Sequence, residues 1–462
     1  MFDLSLSTTN EPNTNWTKEQ LKIINSTEKH VLVEALAGTG KSSTLMGLAH
    51  KHKNGLYLAF NKNIVNEIVE KLPDGWSCST FHAFGLNLIK KNQKRTTINF
   101  FKYSRKGQRF EAAQLAVNHL NMNGNDTDES WIETCKRFHV GYNAINDARY
   151  ILREGRSETE VISAEDMLQY PIMNGWKSEE YDILLIDEVQ DMSPQQVQFL
   201  IKCVPAKRIV FVGDRFQSIY YFRGSDTRVF DKIKEKYNPK TLPLTQSFRC
   251  PKAVIKEANK YVGDIWSDIG GGLVTTVRSM KYNEYPEDCF ILCRVNSGLV
   301  SLANEMIRSK VDFSIGGNFV KTIKREINAA VTGCNSIEEA IEKSKKRLKH
   351  ALKAYKKNNW STTSIENRYE TIRVVFDNYT TFAKIKDFVN KLEAHTVGSS
   401  NRRLLTGHAC KGLENKNVFI LNRNICNKFA LKAKSPEEMQ EEFNILYVMI
   451  TRSLENLTYV DV

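Results

Sequence analysis

Short apolar runs rich in β-branched residues recur along the chain at 31–33, 56–60, 183–186 and 209–212, and again at 290–293, 418–421 and 457–460. Runs that stay apolar at successive positions, instead of alternating, suit strands buried on both faces of a parallel sheet, and the helical or mixed stretches between them supply the crossovers. Two regions break that rhythm. Residues 86 to about 165 and about 298 to 400 are helix-prone, polar and basic. The first carries Lys90, Lys91, Lys94, Arg95, Lys102, Arg105, Lys106 and Arg109, and the second Lys343, Lys345, Lys346, Arg347, Lys349, Lys353, Lys356 and Lys357. The pattern predicts an α/β architecture of two parallel-sheet units, each interrupted by a mainly helical insertion. No internal repeat and no low-complexity linker is visible.

A chain of 462 residues exceeds what one hydrophobic core serves, which agrees with more than one unit. Hydrophobic residues at 41% and charged residues at 26% are ordinary for a globular protein. The opening MFDLSLSTTNEP lacks the basic start and apolar stretch of a signal peptide, and no later run approaches a membrane span. An intracellular, cytoplasmic protein without a membrane partner is expected. The nine cysteines are odd in number, scattered and without a CxxC pair, so reduced thiols are expected in place of disulfides or a metal cluster. Cys289 and Cys293 bracket one of the predicted strands. The formal net charge of +13 favours a polyanionic partner without naming it.

The chemistry is read from two segments. The strand 31–34 runs into Ala35, Leu36, Ala37, Gly38, Thr39, Gly40, Lys41, Ser42 and then a helical stretch. This is a phosphate-binding loop: the glycines let backbone amides cradle phosphates, Lys41 reaches the β and γ phosphates, and the Ser42 hydroxyl can ligate Mg²⁺. Ala35 replaces the usual first glycine. About 145 residues downstream, the apolar strand 183–186 ends in Asp187 and Glu188. At that strand end Asp187 can hold Mg²⁺, and Glu188 can act as the general base orienting an attacking water.

From here the chain resembles the superfamily 1 DNA helicases of the UvrD/Rep group, in order along most of its length outside the two insertions. Trp16, Thr17, Lys18, Glu19, Gln20 looks like that family's adenine-reading motif. Leu58 to Lys62, and Ser79 to Phe84, are similar to its DNA-contacting segments. Gly213 to Gly224 (GDRFQSIYYFRG) matches its most specific motif. Leu244 to Arg249, Thr406 to Glu414 and Glu441 to Arg452 resemble its later motifs. The resemblance implies an ATP-dependent helicase that moves 3′ to 5′ on single-stranded DNA, with ATP and Mg²⁺ as cofactors, working on strands and junctions as a monomer. Roles in replication, repair or recombination, with partner proteins from those processes, come with it.

It also implies a division of labour. Two RecA-like parallel-sheet domains with two inserted mainly helical subdomains are expected: 1–85 with 166–240, carrying the insertion 86–165, and 241–297 with 401–462, carrying the insertion 298–400. The nucleotide-binding set is Gln20, Ala37, Gly38, Thr39, Gly40, Lys41, Ser42, Ser43, Phe248 and Glu414, with Ser42 and Asp187 on the metal. Lys41, Asp187, Glu188, Gln217, Arg249 and Arg452 are the catalytic set; Gln217 would sense the γ phosphate and Arg452 would be the arginine finger. Phe60, Asn61, Thr80, His82, Phe222, Arg223, Thr406 and His408 would face DNA, with Phe222 as a stacking ring.

The chain departs from the family at Ser43 and Asn415, where an arginine and an aromatic are usual, and its second insertion is short. The 5′ to 3′ relatives carry a proline-containing run where this chain has QSIYYFRG. Joint retention of the six catalytic residues argues against a scaffold that hydrolyses ATP poorly. With ten residues after Arg452, the nuclease domain of a helicase-nuclease is not expected.

Overall fold

The computed structural model describes residues 16–461 apart from 105–109, 123–124, 222–223, 226–227, 397 and 399, so Phe222 and Arg223 lie outside the described residues. The chain forms two compact units, Met1–Arg215 with Gly224–Thr245, and Phe216–Arg223 with Gln246–Val462. It therefore passes from one unit to the other three times.

The first unit contains β1 (His30–Ala35), β2 (Gly55–Ala59), β3 (Trp76–Thr80), β4 (Thr97–Ile98), β5 (Val161–Ile162), β6 (Tyr181–Ile186), β7 (Ala206–Gly213) and β8 (Lys240–Leu244). Among the described residues its main sheet runs β3-β2-β6-β7-β1-β8. All its pairs are parallel, with Val33 opposite Val212 and Leu58 opposite Ile186. Period-two geometry sends Val31, Val33, Tyr57 and Leu185 into one buried layer, and Leu32, Leu56, Leu184 and Phe211 into the other. Between β3 and β5, helices Phe110–Met122, Asp128–Phe138 and Ile145–Ser157 close around their own cluster, centred on Trp131, Leu115 and Ile151. The short β4–β5 ladder lies at the foot of this insertion.

The second unit contains β9 (Leu273–Val277), β10 (Cys289–Cys293), β11 (Ser314–Ile315), β12 (Arg402–Thr406), β13 (Asn415–Leu421) and β14 (Ser453–Val460). Among the described residues these form a second parallel sheet in the order β11-β12-β10-β13-β14-β9. The two sheets are those of two RecA-like α/β domains. Helices Asn296–Arg308, Gly317–Val331, Ile337–Lys357, Thr363–Asn378 and Phe382–Ala394 fill the chain between β10 and β12. They share one continuous cluster with the sheet: Ile291 and Leu404 pack in the same core as Ile323, Ile327, Val375 and Phe388. The first insertion owns a core, whereas the second is built into its unit.

All nine cysteines are free, and no cluster able to hold a metal through cysteine, histidine or carboxylates occurs among the described residues. No helix among them is long and apolar enough to cross a membrane.

Candidate functional site

The first unit's chemistry lies at the carboxyl ends of β1 and β6. After β1 the chain turns through Gly38 and Gly40, both at positive φ (70° and 75°), where a Cβ would be strained. Thr39 Oγ1 donates to the Leu36 carbonyl at 2.9 Å, and Thr44 Oγ1 to the Gly40 carbonyl at 2.8 Å, which fixes both flanks of the loop. The helix Lys41–Ala49 then starts at Gly40 with no side chain capping its amides. An uncapped first turn beneath a glycine loop is a ready anion site, with Lys41 as its first residue and the Ser42 and Ser43 hydroxyls exposed beside it.

At the end of β6, Asp187 is buried, accepting from the Tyr57 hydroxyl at 2.8 Å and from the Glu188 amide at 2.8 Å. Burial, and next the Glu188 carboxylate, push its pKa up to about 6; the Lys41 charge pulls the other way. That opposition brings Lys41, Asp187 and Glu188 into one electrostatic site. Glu188 sits in the left-handed region at φ 53°, uncommon for a residue with a Cβ. Its carboxylate accepts from Gln190 Nε2, and Gln190 Oε1 accepts from the Asp214 amide at 3.0 Å. The pair Tyr57 and Gln190 was not anticipated from sequence. Gln190 follows the acidic pair by two positions, which is a usable signal, whereas Tyr57 looks like any core aromatic in GLYLA.

Gln20 closes a capping box on the helix Lys18–Ile24: its Oε1 accepts from the Thr17 amide at 3.0 Å, and Thr17 Oγ1 accepts from the Gln20 amide at 3.1 Å. Its neighbour Glu19 accepts from the Thr245 amide at 2.8 Å and hydroxyl at 2.7 Å, so it holds the last residue of this unit. Asn61 and Thr80 are helix N-caps, accepting from the Ile64 and Ala83 amides. Phe60 precedes the first cap, and His82, whose pKa burial lowers, follows the second. These four residues lie at or just past the ends of the neighbouring strands β2 and β3, on the carboxyl edge where parallel sheets bind ligands.

In the second unit the segment from Phe216 is held through its backbone. Lys411 Nζ donates to the Gln217 carbonyl at 2.7 Å, Asn444 Nδ2 to the Ser218 carbonyl at 2.8 Å, and the Tyr221 amide to Glu441 Oε1 at 2.9 Å. Lys411 also lies 5.1 Å from the Tyr220 ring centroid, and His408 6.4 Å from it. Glu441 and Asn444 sit on the helix Pro436–Ile450, whose Glu442 takes a two-pronged pair from Arg294 (2.7 and 2.6 Å). Gly407 lets the Thr406 loop meet that helix, since a Cβ there would come within 2.6 Å of Ile445. Thr406 Oγ1 accepts from the Ala409 amide at 3.2 Å.

Past the end of the same helix, Arg452 is 1% exposed. Its guanidinium donates to the carbonyls of Val448 (2.8 Å) and Leu413 (3.2 Å), and to Thr451 Oγ1 (3.2 Å). Burial, then the nearby Arg249 charge, hold its pKa below the ordinary arginine value. Arg249 pairs through Nε with Glu414 at 2.6 Å, and the Phe248 ring is 50% exposed. Arg249, Glu414 and Arg452 thus form one group in this unit, with Phe248 adjacent in sequence.

A family model described as an AAA domain matches residues 20–223. The chain is 25% identical to F-box DNA helicase protein 1 of Schizosaccharomyces pombe, over 98% of this chain and 58% of that protein. It is 23% identical to ATP-dependent DNA helicase Rep of Buchnera aphidicola, covering 65% of this chain and 55% of the relative. Against ATP-dependent DNA helicase PcrA of Leuconostoc citreum it is 22% identical, covering 60% and 44%. The chain spans about half the length of these curated relatives.

Proposed function

The chain is a relative of the UvrD/Rep-like superfamily 1 helicases, and from that premise we propose that it is an ATP-hydrolysing motor that moves 3′ to 5′ along single-stranded DNA and displaces the paired strand. The observation that carries this reading is the uncapped helix start at Lys41, behind two left-handed glycines and in electrostatic reach of buried Asp187, whose neighbour Glu188 is half-buried. Amides and ammonium bind the phosphates, and Glu188, steadied by Gln190, accepts a proton from the attacking water. Buried Asp187, whose negative form burial and Glu188 disfavour, together with the Ser42 hydroxyl, is a donor set suited to Mg²⁺. When bound, the metal neutralises charge on the phosphoryl oxygens.

In this reading the second unit completes the site from across a cleft. Phe248 packs on adenine, Glu414 bonds the ribose, and Arg249 exchanges Glu414 for a γ-phosphoryl oxygen, pushed outward by the buried Arg452 charge behind it. Arg452 supplies the second arginine after leaving its carbonyl partners. Gln217 reports the γ phosphate to the helix that grips its segment, and Thr406, His408, Phe60, Asn61, Thr80, His82, Phe222 and Arg223 face the DNA. Residues 86–165 and 298–400 act as the accessory subdomains, and the protein works as a monomer on tails and junctions in replication, repair or recombination. Strand displacement on duplexes with a 3′ or a 5′ tail tests the whole: ATP-dependent displacement is expected from the 3′ tail, and none with Lys41→Ala. Displacement from the 5′ tail alone reverses the polarity, and none from either tail removes the motor.

A further inference from the structure

Residues 90–109 contain eight lysines and arginines and no acidic residue. In the middle of this run stand Phe100 and Phe101, 66% and 75% exposed, more than any other aromatic ring among the described residues. Single exposed apolar side chains are ordinary, but two adjacent rings forgo a large burial energy together. They are not on a loose loop. Asn99 is tied to the Ile162 carbonyl through its amide (2.8 Å), its Oδ1 accepts from the Phe101 amide (2.9 Å), and its carbonyl accepts from the Lys102 amide (3.1 Å). The Ser104 amide closes the turn onto the Phe101 carbonyl at 2.9 Å.

The next two residues point inward. Lys102 and Tyr103 are each 2% exposed, and both bind Asp166: Nζ to Oδ2 at 2.8 Å, and the phenol to Oδ1 at 2.6 Å. Lys102 also donates to the Tyr170 hydroxyl (2.8 Å) and the Glu158 carbonyl (3.1 Å), and the Ser163 amide donates to Asp166 at 3.0 Å. A buried charge pair is tolerated only when its remaining donors and acceptors are satisfied, as these are, and such a pair fixes position more than it stabilises. The two rings therefore project from a rigid base.

We propose that the Phe100–Phe101 turn is a stacking platform for the bases of single-stranded nucleic acid, additional to the DNA-facing residues assigned above; it rests on the reading that DNA is the substrate. Exposed Lys90, Lys91, Lys94 and Arg95 precede the turn and suit the phosphates, while the rings suit any base. Two of those cations, Lys94 and Arg95, also line a cavity of about 600 Å³ with Arg156, Met173 and Trp176, in which Glu160 is the one carboxylate. An exposed aromatic pair in a stretch of chain whose charges are all positive, with the nearby Asp166 neutralised by Lys102, matches a polyanion with flat apolar bases. An apolar protein partner gains nothing from that charge.

The test is the affinity for a fluorescent oligothymidylate, read by anisotropy without nucleotide, so it requires neither hydrolysis nor unwinding. Because both rings are exposed, Phe100→Ala/Phe101→Ala leaves the core untouched, and about 5-fold or greater loss of affinity is expected. Phe100→Tyr/Phe101→Tyr should keep the parental affinity and Phe100→Leu/Phe101→Leu should not, since leucine is apolar but cannot stack. Unchanged affinity in the alanine variant, or full affinity in the leucine variant, overturns the platform. A parent that binds the oligonucleotide through these rings yet displaces no strand leaves the platform standing and removes the motor. A parent that displaces strands while the alanine variant binds normally does the reverse, and a parent that binds no oligonucleotide removes both.

Discussion

At Asp187, burial and then the Glu188 carboxylate push the pKa up to about 6 from an ordinary 3.8. A carboxyl whose pKa rises on folding helps stability only while protonated: its contribution is full below pH about 4 and is lost as the pH rises through about 6. At neutral pH the ionised side chain therefore costs stability. Asp187→Asn should stabilise the nucleotide-free protein at pH 8 by up to about 3 kcal/mol while abolishing hydrolysis, and the gain should vanish near pH 4. Urea unfolding at both pH values checks this, and an Asp187→Asn protein no more stable than the parent at pH 8 refutes it. Lys41, Ser42, Asp187 and Glu188 were legible because phosphate chemistry demands fixed residue types at fixed spacing. Tyr57 and Glu19 were not, because a hydroxyl on a core aromatic and a carboxylate that meets a residue 226 positions away leave no local pattern.

Among the elements, the helix Pro436–Ile450 gathers the most functions. It grips the Gln217 segment through Glu441 and Asn444, leads into Arg452, and is itself pinned to the end of β10 by Arg294 and Glu442. Burial pulls the Arg294 pKa down, but the Glu442 carboxylate outweighs it and holds the guanidinium above its ordinary range. Removing one partner leaves the other charge largely buried, so Arg294→Leu should destabilise by about 3 kcal/mol, and adding Glu442→Leu should recover most of that. Denaturant titration of the single and double variants measures it; a double variant as unstable as the sum of two single losses assigns the cost to packing. The seven apolar runs read from sequence all became strands, because central parallel strands are buried on both faces. The others escaped notice. β3 reads WSCST, β8 carries Pro243 and exposed Lys240, and β9 has no fully buried residue, as sheet edges allow; β12 opens on two arginines, of which Arg402 is satisfied by the Tyr285, Pro286 and Asp312 carbonyls.

For the whole molecule, the two-sheet α/β architecture followed from the rhythm of apolar runs, while the merging of the second helical region into its sheet's core did not, because helix periodicity shows which face is apolar and not what covers it. Nor did the path of the chain. The stretch Phe216–Arg223 lies in the second unit although the chain returns to the first unit after it, at Gly224. This has a consequence for inheritance of parts: a chain cut between Thr245 and Gln246 does not yield two self-sufficient halves. The amino-terminal half would carry away eight residues that belong to its sister, and with them the backbone groups that Lys411, Asn444 and Glu441 bind. Co-expressed as separate polypeptides, 1–245 and 246–462 should copurify, the borrowed segment acting as a built-in adhesive tag. Replacing 216–223 with a glycine-serine stretch should free the two halves from each other. Halves that stay together after the replacement would show that the tag is not what joins them.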